Sequence, residues 1–393
     1  MEKRWGDACR STARTRGASS LLLLCAVLLA ACGPGPTAGA PPAAGEGWDV
    51  ASPGDVGLDA AMLDEAAALI RDGTYPNVHG LLVVKDGKLA FEEYFRGDAW
   101  SPADGQAQGE VAQFDAGTLH YMASVTKSIT SALVGIAIDR GAIGGVDEKL
   151  SAFFPEYAGL QEGGKEALTL EHLLTMTSGL AWNENELPYS DPTNDFVRLY
   201  RAPDPVAYVL DRPLEGEPGR AWNYNGGAVD LLGAAVARST GQGLDAFAEE
   251  HLFGPLGIDE YRWDFVRTDF IDAAGGLHLR PRDMARLGLL YLNGGEWNGR
   301  RVVPREWVET STQPHASVPG GGEYGYLWWR STFELDAGAV EAFSAIGWGG
   351  QWIMIFPELD MVVVFTGGNY AGEDPVEQIV ARHLLPAVEE LNH

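Results

Sequence analysis

The chain has 393 residues, 46% of them hydrophobic, with 55 acidic against 28 basic side chains and a net charge of −27. That length and apolar content exclude a disordered or fibrous chain and leave room for a large core, in two lobes. The acidic excess excludes a nucleic-acid binder, whose phosphate contacts need clustered basic residues.

The first 31 residues read as a processing signal. Lys3, Arg4, Arg10, Arg14 and Arg16 make a basic start, Leu21 to Leu29 is apolar, and Leu29-Ala30-Ala31-Cys32 follows. This is the pattern of a bacterial export signal, its apolar part too short for a membrane span. The ending resembles a lipoprotein box, in which Cys32 is lipidated and becomes the first mature residue. The alternative is an ordinary signal with a chance cysteine. Cys9 and Cys25 fall in the removed part, so the mature chain has one cysteine and no internal disulfide. The expected location is therefore outside the cytoplasm, on a lipid anchor. Gly33 is not the aspartate associated with inner-membrane retention, which favours the outer membrane. Residues 32–47 form the anchor and a flexible Gly/Pro/Ala tether, and 48–393 the folded domain.

Within that domain, Leu58 to Arg71 reads as a helix. Gly80–Val84 and Leu89–Phe95 are β-rich runs joined across Asp86-Gly87, a strong hairpin signal. Helices then dominate: Ser124–Arg140, Leu170–Thr177, Pro205–Leu210, Ala228–Thr240, Leu244–Leu252 and Pro281–Leu292. Strands return at Tyr326–Arg330, Gln351–Phe356 and Met361–Thr366, with a turn at Pro357–Asp360. A last helix is expected from about Pro375 to Leu391. The ends supply strands and the middle supplies helices. The expected fold is thus mixed α/β (α+β): an antiparallel sheet lobe (about 48–120 and 300–393) flanked by terminal helices, with an all-helical lobe (about 121–299) inserted. A cleft between two lobes is a favoured place for a small-molecule site.

Two apparent nucleotide motifs fail on inspection. Gly159 to Lys165 lacks the Ser or Thr of a P-loop, since Glu166 stands there. Gly320 to Gly325 follows a loop and leads into an expected strand, the wrong context for dinucleotide binding. The eight histidines are scattered, without zinc-ligand spacing. No metal and no cofactor are expected.

Ser124-Val125-Thr126-Lys127 places a hydroxyl and an amine three residues apart at a helix start, where they are neighbours. A lysine there can activate a serine that is otherwise a weak nucleophile. Tyr224, just ahead of the helix from Ala228, can take part in proton transfer, a phenol beside an ammonium being favoured in its anionic form. Ile346-Gly347-Trp348-Gly349-Gly350-Gln351 leads into a strand. Its glycines let backbone pass close to a ligand, where an N–H can meet a developing oxyanion.

In order and spacing these segments, with Leu168 to Leu180, Gly275-Gly276-Leu277 and Asp283, resemble the serine β-lactamase and penicillin-binding-protein superfamily from about Val78 to Leu391. Nearest in pattern are class C β-lactamase-like proteins, family VIII carboxylesterases and 6-aminohexanoate-dimer hydrolases. The resemblance implies a β-lactamase-like fold. It also implies a Ser124 nucleophile and acyl-enzyme, activation by Lys127 with Tyr224, and an oxyanion hole from the N–H groups of Ser124 and Gln351. Two departures bear on substrate. Trp348 stands where many relatives carry a cation for the substrate carboxylate, and an indole cannot supply that charge. Gly226 stands where the family often has an Asn that orients the amide, with Asn225 one place early. Trp348, Gly349, Gly350, Asn225 and Trp182 are candidate substrate contacts. Residues 182–204 form either one wall of the cleft, with Trp182, Tyr189 and Asp195 touching substrate, or a surface loop. The expected activity is hydrolysis of small-molecule esters or amides. The competing readings are a penicillin-recognising enzyme (β-lactamase or D,D-carboxypeptidase) and a non-catalytic, membrane-tethered binding protein.

Overall fold

The computed structural model describes residues 47–99, 109–335 and 338–392. The chain divides into units 1–37 and 38–393, and every described residue belongs to the second. The export signal, Cys32 and nearly all of the tether lie outside the described residues.

The sheet takes strands from both ends of the domain. β1 (Val78–Lys85) and β2 (Lys88–Tyr94) come first, and six strands follow late in the chain. These are β3 (Ala316–Ser317), β4 (Glu323–Tyr324), β5 (Trp329–Leu335), β6 (Gly338–Gly347), β7 (Gln351–Phe356) and β8 (Met361–Gly367). All pair antiparallel in the order β3-β4-β5-β6-β7-β8-β1-β2. The β1–β2 hairpin turns at Asp86 and Gly87, both with positive φ (52° and 71°), as an Asp-Gly turn allows. β8 lies beside β1, with Leu81 opposite Phe365 and Val83 opposite Val363, so the first strand is joined to the last.

β1, β7 and β8 are buried throughout. Their side chains alternate between two cores, as a period of two requires. Leu82, Val84, Ile353, Ile355, Val362 and Val364 face one core. Leu81, Val83, Met354, Phe356, Val363 and Phe365 face the other. The second core is closed by the terminal helices, α1 (Ala60–Arg71) and the C-terminal segment that starts at Val376. The first holds the helical lobe: α2 (Val125–Asp139), α3 (Leu170–Leu174), α4 (Asp195–Leu199), α5 (Pro205–Leu210), α6 (Gly226–Thr240), α7 (Leu244–Ala248) and α8 (Pro281–Leu292). α2 is buried from Val125 to Ala137 on every side, so it is a central helix rather than an amphipathic one.

Several elements differ from the sequence reading. The inserted lobe is not wholly helical. It carries short strand pairings, among them His120–Tyr121 and Arg262–Trp263 on either side of Leu277–Leu279. The strand expected at Tyr326–Arg330 begins only at Trp329. Before it the chain turns, with Leu327 at φ 64°. Its polar groups bond to helices rather than to a strand: Tyr326 N–H to Ser311 O (2.8 Å), Leu327 N–H to Leu174 O (3.0 Å), and Ser128 Oγ–H to Leu327 O (2.6 Å). β6, ten residues long, was not anticipated from its small and mixed residues. The last helix is one short turn, Val376–Ile379, then a wider turn over Val380–Leu384.

Ser128 thus ties α2 to the turn that starts β5. Ser128→Ala leaves a buried carbonyl without its donor and is expected to cost about 1–3 kcal/mol. Urea unfolding measures this, and a midpoint equal to wild type would contradict it.

Candidate active site

Ser124 caps α2 at its N-terminus, and Ala123 before it is held at φ 44°. A left-handed, non-glycine residue beside the candidate nucleophile is the kind of strain that surrounding structure must enforce. One turn on, Lys127 is 2% exposed. Its Nζ donates to Ser124 Oγ (3.0 Å) and to Ala274 O (2.7 Å). It also lies 4.9 Å from the centre of the Tyr224 ring and 5.9 Å from that of Phe196. Thr126 and Thr130, on the same helix, bond to Leu277 N–H (3.2 Å) and Ala273 O (2.7 Å). Three side chains of α2 therefore fix segment 273–277 against the turn that carries Ser124. Burial presses the Lys127 pKa down, but Tyr224, Glu184 and Asp272 more than offset it, and the net shift is upward.

Tyr224 sits just before α6, buried, in a segment held by the bond from Asn223 N–H to Met176 O (2.8 Å). Asn225 caps α6: its Oδ1 accepts from Ala228 N–H (2.9 Å). That oxygen is committed to the helix, Nδ2 is buried without a partner among the described residues, and the residue does not line the cleft. Nor does Trp182, whose Nε1 donates to Glu184 (2.7 Å) while its ring packs near Tyr208. Glu184 is the residue the sequence reading passed over. Its Oε2 also accepts from Gly226 N–H (2.8 Å), and its Oε1 accepts from Tyr189 (3.0 Å). A Cβ at Gly226 would lie 2.7 Å from Phe196 and 2.9 Å from Glu184 Oε2. The space an Asn would need is filled by Glu184 and Phe196.

The opposite wall is the end of β6. A Cβ on Gly347 would stand 2.2 Å from Met122 O and 3.2 Å from Ser124 N. Only a glycine lets this backbone pass so close to the serine. Trp348 follows, 38% exposed, against Tyr189 and Tyr370. Gly349 and Gly350 both have φ of 90° and turn the chain back. Gln351 lies across the hairpin from Gly347 and is fully buried. Its side-chain amide bonds to Gly367 O (2.6 Å) and accepts from Gly367 N–H (3.3 Å). Gly349 and Gly350 thus build the turn, Gly347 passes against the serine with Gln351 paired opposite it, and Trp348 lines the cleft.

These residues surround a cleft of about 650 Å³ that contains Ser124, Lys127, Glu184, Tyr189 and Trp348. Its far wall holds Tyr200 and Asp272, also missed from sequence. Asp272 accepts from Tyr200, Ala274 N–H (3.0 Å) and Gly275 N–H (2.7 Å), and so positions the peptide whose carbonyl holds Lys127. Behind it lies Asp230, one oxygen bonded to Ala273 N–H (2.8 Å) and the other without a partner among the described residues. Asp195, offered as a substrate contact, instead braces the loop: it accepts from Asn183 N–H, Tyr208 and Arg212.

The family model for Beta-lactamase matches residues 67–384. The chain belongs to the beta-lactamase family. Among its relatives is a 6-aminohexanoate-dimer hydrolase of Paenarthrobacter ureafaciens, 30% identical over 266 residues, 62% of this chain and 65% of that protein. Another is esterase EstB of Burkholderia gladioli, 33% identical over 150 residues, 36% and 37% of the two chains. These matches span less than two thirds of the relatives' own lengths. Two solved structures show the same fold. A family VIII carboxylesterase has a TM-score of 0.64 at 17% identity, covering 84% of this chain and 96% of that one. A class C beta lactamase from Rhodobacter sphaeroides has a TM-score of 0.60 at 18% identity, covering 83% and 100%.

In this beta-lactamase family member, burial and then the adjacent Asp272 raise the Asp230 carboxyl well above its usual range, Lys127 opposing. The folded chain therefore keeps a proton that the unfolded chain releases near its ordinary value, 3.8. This contribution to stability is full below that value and is lost as pH rises toward the folded one. Asp230→Asn keeps an acceptor for Ala273 and removes the loss. Its stability relative to wild type is expected to rise between about pH 5 and about pH 8 in urea unfolding. A difference that stays constant with pH would contradict the assignment.

Proposed function

We propose that the protein is a serine hydrolase of small esters or amides that works through an acyl-enzyme on Ser124. The observation that carries this reading is the 3.0 Å contact of Lys127 Nζ with Ser124 Oγ, beside Tyr224 in a cleft deep enough for a small molecule. Kinship with a family that includes a 6-aminohexanoate-dimer hydrolase and esterase EstB supports it.

The upward shift of Lys127 refines the roles. At rest it is a cation and donates to Ser124 Oγ, so it cannot also accept that proton. As Oγ attacks the carbonyl carbon, its proton passes to the phenolate oxygen of Tyr224, the anionic form that a neighbouring ammonium favours. The same proton then goes to the leaving alkoxide or amine as the C–O or C–N bond breaks. Water repeats the sequence on the acyl-enzyme, and Ser124 regains its proton. Lys127 holds Oγ in place and balances the negative charge as it moves from the phenolate to the carbonyl oxygen. We assign the oxyanion donors to the N–H groups of Ser124 and Gln351. Gln351 pairs across the hairpin with Gly347, the glycine that passes against Ser124.

Trp348 also favours this reading over penicillin recognition, because the end of β6 offers an indole rather than a cation. With p-nitrophenyl butyrate, Ser124→Ala is expected to lower kcat/KM by about 10³-fold or more. A fluorophosphonate probe is expected to label wild type at Ser124. Hydrolysis by Ser124→Ala at the wild-type rate would end the proposal.

We further propose that the protein is exported and anchored through a lipid on Cys32, as the basic start, apolar run and Leu29-Ala30-Ala31-Cys32 suggest. Cys32→Ser is expected to move it from the membrane fraction to the soluble fraction, and mass spectrometry of the wild type to find an acylated Cys32. A wild-type N-terminus free of lipid would refute the anchor.

A further inference from the structure

The charged groups of the cleft can be accounted for one by one. They are Lys127, Glu184, Arg201, Arg262, Asp264 and Asp272. Lys127 is engaged by Ser124 Oγ and Ala274 O. Both oxygens of Glu184 are taken, by Trp182 and Gly226 on one side and Tyr189 on the other. Asp272 is filled by Tyr200 and two backbone N–H groups. Arg262 pairs with Asp264 (3.0 Å), which also bonds His278 (2.9 Å).

Arg201 alone remains. It follows Tyr200 after the end of α4, is exposed, and its guanidinium meets no partner among the described residues. Phe196, Val197 and Phe265 line the cleft with it, as do the paired Arg262 and Asp264. A free guanidinium in a cleft whose acids are already paired suits a carboxylate, which it can bind in a bidentate fork.

We propose that Arg201 forms a carboxylate subsite at the mouth of the cleft, so that the preferred ester or amide carries a carboxylate. The proposal rests on the Ser124 reading and adds a substrate class to it. The cation that Trp348 displaces from β6 is thereby supplied from the helical lobe, on a different wall. A substrate lying between Ser124 and Arg201 would run along Phe196 and Tyr200, whose rings are 5.3 Å apart.

Matched substrate pairs test it. Mono-4-nitrophenyl adipate against 4-nitrophenyl hexanoate puts the carboxylate on the acyl side. 4-Acetoxybenzoate against methyl 4-acetoxybenzoate puts it on the leaving group. Wild type is expected to favour the anion by about tenfold in kcat/KM in one of the two pairs, through KM more than kcat, and less so as salt is raised. Arg201→Gln is expected to abolish that preference and Arg201→Lys to keep part of it. An equal or greater preference in Arg201→Gln, or none in wild type for either pair, would overturn the subsite while leaving Ser124 hydrolysis standing. Failure of wild type on all four esters would instead overturn the underlying hydrolase reading.

Discussion

The site depends on one constraint: an ammonium group buried at the meeting point of two lobes. Removing such a charge from water costs several kcal/mol unless partners replace the lost hydration. Lys127 obtains them from a serine oxygen at the start of its own helix and a carbonyl in the distant turn before Leu277–Leu279. Neither partner suffices alone. The carbonyl is held by Asp272 through the following peptides, and Asp272 is held by Tyr200 from α4's end. One buried cation therefore couples α2, the 273–277 segment and the wall around α4. The protonation state of the lysine follows from this coupling, because three acidic or phenolic neighbours outweigh burial.

The second half of the site is steric. The end of β6 reaches Ser124 only because position 347 has no side chain. β6 itself is placed by the sheet, whose central strands are buried on both faces and leave little freedom to slide. With one face packed on α1 and the other on α2 and α8, a register shift of one residue would exchange the two cores. The rigidity of the sheet thus becomes precision at the serine, which electrostatic stabilisation of an oxyanion requires.

Much of this was legible in the sequence, for identifiable reasons. Ser124 and Lys127 sit three apart on a long helix, so spacing alone brought them together. The hairpin at Asp86-Gly87 and the runs of β7 and β8 carried strong local signals. What escaped depended on distant contacts. β6 is rich in Ala and Gly and becomes a strand because β5 and β7 pair with it. Tyr326 to Trp328 looked like strand, but Ser311, Leu174 and Ser128 take their hydrogen bonds. Asn225 seemed placed for substrate, yet capping α6 claims its side-chain oxygen. Glu184 and Asp272 were invisible because an acid's partners in the fold cannot be read from its neighbours in sequence.

Glu184 and Trp348 belong to one change rather than two. Where the family often has an Asn to meet a substrate amide, Gly226 leaves room, and a carboxylate and a phenyl ring fill it. That carboxylate then needs donors, and Trp182, Tyr189 and Gly226 N–H satisfy it completely. Tyr189, fixed in this way, packs on Trp348. The indole is therefore supported from beneath by the group that replaces the Asn. Introducing a lysine at 348 alone would not recreate a penicillin site: it would remove the packing of Tyr189 while the amide-orienting Asn stayed absent. The two positions constrain each other through Tyr189, which bonds Glu184 and packs on Trp348.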